Sequence, residues 1–228
     1  MSSKLKTQFI NHMILHRYSK HTIRNYVRVI SDLAKFHNKS PDQLNNEQIQ
    51  EYLLYLLKVR KLGWGTCNNY YAGLACLYKQ VLKRGKTTFT LPPRPRIKKL
   101  PHILSVEEVK RLFESAVNLK HRVLLKTIYS AGLRTGEAIR LEPRHIESDS
   151  SRMMIRVEQA KGRKDRYTLL SKHLLDELRV YWQKYKPAKW LFSGSHGRHL
   201  SYAGARLAYV KAKKSRYKKR TRATHSPA

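Results

Sequence analysis

Between Lys83 and Leu100 the apolar periodicity of the chain stops, and Pro92, Pro93 and Pro95 stand there among Lys83, Arg84, Lys86, Arg94, Arg96, Lys98 and Lys99. Three closely spaced prolines remove backbone donors and fix φ, so neither a helix nor a central strand runs through this stretch. The chain is therefore read as two periodic blocks, each burying its own apolar face, joined by a basic, semi-extended linker with no core of its own. A length of 228 residues leaves enough chain for two such cores.

The first block carries four apolar stripes. Leu5, Phe9 and Met13 share a face between Lys4 and Leu15. From Ser19 to His37, with Thr22 as the expected start signal, Ile23, Tyr26, Val27, Ile30, Leu33 and Ala34 repeat at three and four. After the break at Ser40-Pro41-Asp42, Ile49, Tyr52, Leu53, Leu56 and Leu57 form a third stripe, beginning near Asn46-Glu47 and ending before Gly63. Gly63-Trp64-Gly65 reads as a turn, and Tyr70, Leu74, Leu77, Tyr78, Val81 and Leu82 form a fourth stripe from about Thr66 to Lys83. Four short helices joined by short turns make a small bundle.

In the second block, Ser105 is an expected N-cap with Glu107 and Glu108 in the first turn of a helix running through Val117. A further helical phase over Val123, Leu124, Ile128 and Ala131 is interrupted by Gly132 and resumes through Ala138, Ile139 and Leu141. Gly132 is placed to supply a left-handed cap and Thr135 to cap the next helix, so Arg134 lies at a helix-to-helix corner. Met153 to Val157 and Arg166 to Leu170 read as two antiparallel strands whose connection, Gln159 to Asp165, holds Gly162 among three cations. Ser171 to Tyr185 is again helical, with Leu174, Leu175, Leu178 and Trp182 as its stripe. A last helix starts at Ser201, with Ala205, Ala208, Tyr209 and Ala212 apolar. Every charged residue from Arg206 to Arg222 is Lys or Arg, and such a tail is expected to be disordered without a partner.

Composition narrows the function. Lys and Arg total 48 against 15 Asp and Glu, a formal charge of +33, which opposes compaction unless a polyanion neutralises it. Among the 14 tyrosines, those interleaved with cations suit contact with sugars and bases as well as phosphates. Cys67 and Cys76, on one expected helix at ~1.5 Å per residue, are about 13 Å apart and beyond disulfide reach. Reduced thiols and a soluble, cytoplasmic protein without a membrane span or leader peptide are expected.

Gly132-Leu133-Arg134-Thr135-Gly136-Glu137 resembles the Gly-Leu-Arg-x-x-Glu box of the tyrosine recombinases, the phage integrase-like proteins. Leu104-Ser105-x-x-Glu108-Val109 resembles the opening of their catalytic domain, and Leu191-Phe192 one of its later landmarks. Ser19 to Leu82, with Thr22, Tyr26, Leu33 and Phe36, is similar to the core-binding domain that precedes it. The resemblance implies a mainly α, two-domain protein. Residues 1–84 would be a four-helix, SAM-like core-binding bundle, 85–100 the basic linker, and 101–228 an α+β integrase catalytic domain with a small antiparallel hairpin.

What the resemblance implies about chemistry is specific. Arg134 is the first of two arginines that clamp the transition-state phosphate, and Lys161, in Ala160-Lys161-Gly162, is the hairpin lysine that protonates the departing 5′ oxygen, with Lys164 as the alternative. His225-Ser226 matches the start of the second box, His-x-Leu-Arg-His. No metal and no cofactor are required. Lys98, Lys99, Arg163, Lys164 and Arg166 are the cations expected to contact double-stranded DNA, on which the chain is expected to form a homo-oligomer. After His225-Ser226 the sequence departs from the pattern, and no position matches the second arginine, the later histidine or tryptophan, or the tyrosine nucleophile. Tyr202, Tyr209 and Tyr217 precede the box and are excluded by order. The resemblance thus implies a member lacking its C-terminal helices, through premature termination or a frame change, or one whose nucleophile comes from another subunit. The rival class is a nucleic-acid-binding module that cuts nothing, and a ribosome-associated structural protein is a weaker third.

Overall fold

The computed structural model describes residues 3–95, 100, 103–158 and 165–223. The chain divides into two compact units, Met1–Leu100 and Pro101–Ala228.

In the first unit, α1 (Ser3–Leu15), α2 (Lys20–His37), α3 (Asn46–Lys58) and α4 (Trp64–Ala75) follow the four stripes. Phe9, Met13, Ile30, Leu33, Ile49, Leu53, Leu56, Leu74 and Leu77 meet in one core, each fully buried. The start of α2 differs from the sequence expectation: Ser19, with extended backbone, is the N-cap, and its hydroxyl accepts the Thr22 N–H at 3.1 Å. Asn45 and Gln48 cap α3 reciprocally, each side chain accepting the other's backbone N–H. Gly63 caps α4, so Trp64 and Gly65 lie inside the helix and not in a turn. Where α2 crosses α4, a Cβ on Gly73 would stand 3.3 Å from Tyr26 and Val29, so glycine permits the approach.

The fourth helix then widens into a π-helical turn, Cys76–Val81. Cys76, Leu77 and Tyr78 are consecutive and all buried, which a regular helix advancing ~100° per residue places on different faces. The Tyr78 hydroxyl donates to the Pro41 carbonyl at 2.6 Å, and burial raises its pKa. Both cysteines are free and buried, and burial raises both thiol pKa values.

The expectation of a coreless linker fails over its first half. Phe89 is 2 % exposed and sets its edge against Tyr71 and Tyr78. Thr90 exchanges two backbone hydrogen bonds with the Gln50 amide, Trp64 Nε1 donates to the Pro92 carbonyl, and Arg84 donates to the Asp42 and Leu44 carbonyls. Side chains of the bundle thus satisfy backbone groups that proline-rich sequence cannot pair within itself, and one aromatic pins the segment.

The second unit begins with α5 (Val106–Glu114), capped by Ser105 and Glu108 in a reciprocal pair, and α6 (Leu119–Ser130). A single turn, α7 (Thr135–Ala138), follows the Gly132 corner. The expected hairpin is β2 (Met154–Val157) against β3 (Arg166–Leu169), with Ile155 opposite Thr168 and Val157 opposite Arg166. A short strand that sequence did not indicate, β1 (Ile146–Glu147), joins β2 to make a three-stranded antiparallel sheet. Ile155 and Val157 turn into the core with Val123, Leu124, Ala138, Leu174, Leu178 and Phe192.

On α8 (Lys172–Tyr185), capped by Ser171, the fourth core position is Tyr181 at 1 % exposure, whereas Trp182 is 50 % exposed. The Tyr181 hydroxyl reaches the Leu191 carbonyl at 2.8 Å, a partner that Trp182 on the neighbouring face does not have. The last helix, α9 (Tyr202–Ala223), corrects the expected disordered tail. Ala205, Ala208 and Ala212 are buried, giving α9 a narrow docking stripe, while Tyr209, expected on that stripe, is 41 % exposed; the Ala, Lys and Arg that follow are strong helix formers. Among the described residues no helix is long and apolar enough to cross a membrane.

Phe89→Ala is expected to destabilise the first unit by about 3 kcal/mol, read as a lower urea midpoint. A change below ~0.5 kcal/mol, as for a surface linker residue, would contradict the docking of this segment.

Candidate active site

The site grows from the end of α6. Leu133 N–H donates back to the Ile128 carbonyl at 3.0 Å and Gly132 N–H to the Tyr129 carbonyl at 3.4 Å, the paired bonds of a Schellman cap with Gly132 at φ +58°. Leu133, 5 % exposed, is thereby turned into the core. Arg134, next in sequence, has extended backbone and its carbonyl accepts the first bonds of α7 from Glu137 and Ala138. Thr135, the cap the sequence indicates, is already the first residue of the helix. Arg134 occupies the cap position, and Glu137 reaches back to accept its N–H at 2.9 Å.

Glu137 is the centre of the arrangement. Its side chain is 8 % exposed and its two oxygens accept four hydrogen bonds. Oε2 takes the Arg134 N–H and Arg166 Nη2 at 2.9 Å each, while Oε1 takes Arg134 Nη1 at 2.8 Å and Arg166 Nη1 at 2.9 Å. Arg166, first, and then the Arg134 N–H and guanidinium hold the Glu137 carboxyl down at about 2, and Glu137 in turn raises the Arg166 pKa. The carboxylate is therefore ionised across the neutral range, and its charge is matched by two guanidinium groups.

Arg134 keeps one nitrogen on Glu137 while its side chain remains 62 % exposed. That combination leaves a charged planar group presented to solvent from a fixed root, suited to an anionic oxygen. Next to it, Glu137 also lines a cavity of about 200 Å³ with Arg140, Glu142, His145, Glu158 and Trp190. There the buried His145 accepts the Glu142 N–H at Nδ1, and its Nε2 faces Glu158 Oε1 at 3.5 Å.

The expected site residues fare differently. Arg134 stands exposed at the corner. Arg166, expected among the phosphate-contacting cations, is engaged through both terminal nitrogens by Glu137 of α7. Lys161, Arg163 and Lys164, Lys98 and Lys99, and His225 lie outside the described residues. Tyr202 and Tyr209 are both exposed on α9. The sequence shows Glu137 as the last residue of the Arg134 box but carries no local signal of its link to Arg166, 29 positions along the chain. Among the described residues no group of three or more His, Cys, Asp and Glu converges as a metal site.

Residues 5–87 match the N-terminal SAM-like domain of phage integrases, and residues 102–226 match the phage integrase family. An integrase/recombinase of Sinorhizobium fredii, y4qK, is 39 % identical over 198 residues, covering 86 % of this chain and 63 % of that protein. The tyrosine recombinase XerA of Pyrococcus horikoshii is 30 % identical over 184 residues, 79 % of this chain and 61 % of that protein. The chain thus spans about three-fifths of the length of these relatives. In fold it is similar to a lambda integrase in a tetramer bound to a Holliday junction (TM-score 0.73, 12 % identity, 93 % of this chain, 65 % of that one). The Tn1549 transposon integrase in complex with circular intermediate DNA is likewise similar (TM-score 0.67, 15 % identity, 98 % and 80 %).

Gly132→Ala places a side chain at φ +58° with open space around its Cβ, so only backbone strain opposes it. A loss of about 1 kcal/mol is expected in urea denaturation, with a smaller loss for Gly132→Asn. Equal stability of wild type and Gly132→Ala would contradict the left-handed cap.

Proposed function

The chain belongs to the phage integrase family, the tyrosine recombinases, and from that membership we propose that it is a mobile-element integrase that binds duplex DNA for site-specific recombination. The observation that carries the proposal is Arg134, exposed at a helix corner yet anchored by a buried, ionised carboxylate, in a chain of net charge +33. A guanidinium so held meets a non-bridging phosphate oxygen without first being ordered, which keeps more of the contact energy for binding.

In this reading Arg134 grips the scissile phosphate. Lys161 donates the proton to the departing 5′ oxygen, with Lys164 as its alternative, and His225 assists proton transfer. Lys98, Lys99, Arg163 and Lys164 follow the flanking phosphates, and release of counterions from those phosphates supplies much of the affinity. Within these 228 residues no position after His225 matches the second clamping arginine or the tyrosine nucleophile. Stabilising a phosphorane needs both guanidinium groups and an attacking group in line, and of these Arg134 is the part matched here, so the activity proposed for these 228 residues is DNA capture.

Two measurements test the proposal. Fluorescence anisotropy with a labelled duplex is expected to show affinity falling about a thousandfold or more between roughly 50 and 200 mM salt, as for about six or more phosphate contacts. Affinity indifferent to salt would contradict it, and equal affinity for double-stranded RNA would favour the rival reading of a general nucleic-acid-binding module. Incubation with nicked suicide duplexes is expected to give no covalent DNA–protein band. A protease-sensitive band that disappears on changing Tyr202, Tyr209 or Tyr217 to Phe would show that the chain assembles a nucleophile after all.

A further inference from the structure

Strand β3 is fastened to the Arg134 corner at two points on one strand face. Arg166 binds both oxygens of Glu137 at 2.9 Å, and two residues on, the Thr168 hydroxyl donates to the Ala131 carbonyl at 2.8 Å. Arg166 also stands opposite Val157 in the register, at the root of the connection between β2 and β3 whose sequence contains Lys161. The Glu137 carboxylate, nearly buried, cannot rotate without breaking the two-nitrogen grip, and it is this same carboxylate that holds the Arg134 backbone and guanidinium.

We propose that Arg166 is a positioning residue for Arg134, acting through Glu137 and tying the root of the β2–β3 hairpin to the corner that presents the phosphate-gripping arginine. The proposal rests on the reading of Arg134 as a phosphate ligand and assigns Arg166 a role other than DNA contact. A guanidinium is required because only its planar fork meets both carboxylate oxygens at once; a lysine ammonium supplies the charge at one point and leaves the carboxylate free to turn. If Arg166 were instead occupied by a phosphate, Glu137 would keep Arg134 as its only cation, buried beside an apolar core that disfavours an underpaired charge. Coupling follows: the hairpin and Arg134 are set in place together, because displacing β3 takes the anchor of Arg134 with it.

The test is a double-mutant cycle on the full chain, with duplex affinity by fluorescence anisotropy at fixed low salt. Arg134→Ala and Arg166→Gln are each expected to weaken binding about tenfold, the worth of one charge-assisted contact. The double variant is expected to bind no more weakly than Arg134→Ala, within about twofold. Arg166→Lys is expected to fall with Arg166→Gln, since charge without the fork does not hold Glu137. A loss from Arg166→Gln that adds in full to that from Arg134→Ala overturns the proposal, as does wild-type affinity for Arg166→Lys. Wild-type affinity for Arg166→Gln beside a weakened Arg134→Ala overturns it while leaving Arg134's own role intact. Wild-type affinity for Arg134→Ala removes the phosphate-ligand reading and this inference with it. If Arg166→Gln unfolds by leaving Glu137 stranded, Glu137→Gln/Arg166→Gln replaces it, with no buried carboxylate left to pair. That variant is expected to match Arg134→Ala, and wild-type affinity would overturn the proposal.

Discussion

One carboxylate organises the second unit. Glu137 joins three pieces of chain that are distant in sequence or differ in structure: the corner after α6, the single turn of α7 and the strand β3. Without it, the Arg134 N–H at the start of α7 would lose its acceptor, and two arginines would face each other with no anion between them. Burying an ionised carboxylate costs free energy unless it is fully hydrogen-bonded, and here four donors meet its two oxygens. The depressed pKa, about 2, is the electrostatic expression of that geometry. A turn of four residues such as α7 is too short to be stable by propensity, so its place depends on this cluster and on the core beneath Ala138 and Ile139.

A chain of charge +33 folds here by keeping its cations at the surface and its cores apolar. The first unit buries aromatic and aliphatic stripes around Ile30, Leu53 and Leu77 and recruits Phe89 from the proline-rich segment. The second packs Ile155 and Val157 of the sheet against α6 and α8. Its acids are few, and several of them, Glu137, Glu142, Glu158 and Glu177, are spent on specific cations. The remaining positive charge has no counterpart within either unit's described ion pairs that would balance it, consistent with a polyanionic partner.

Much of this was legible in the sequence because local rules decided it. The stripes at three and four gave α1 to α4, Ser105 with Glu108 gave the start of α5, and Gly132 gave a left-handed cap where the helix phase breaks. Motif order around Arg134 pointed to the family. What sequence missed was set by partners outside each element's own periodic pattern. β1 is two residues long and exists only because β2 lies beside it. Phe89 is hidden by Tyr71 and Tyr78, not by its own neighbours. Tyr181 displaced Trp182 from the core because a carbonyl on a later loop accepts its hydroxyl. Arg166 reads in sequence as one more basic residue at a hairpin, and only the folded chain brings it to Glu137. The alanine stripe of the last helix was legible, but the run of cations after Arg206 gave no sign that the helix continues to Ala223.

The most direct test of the account is the titration of Glu137 itself, followed by carboxyl carbon NMR on the chain labelled at glutamate. A folded-state value below the ordinary 4.5 means that the ionised group stabilises the fold fully above about pH 4.5, a contribution lost as pH falls through the folded value. The arrangement described here predicts a Glu137 midpoint at about 2, with the carboxylate still ionised after the exposed glutamates have taken up protons. A midpoint near 4.5, in step with those exposed groups, would contradict the shared carboxylate on which Arg134, α7 and β3 are said to depend.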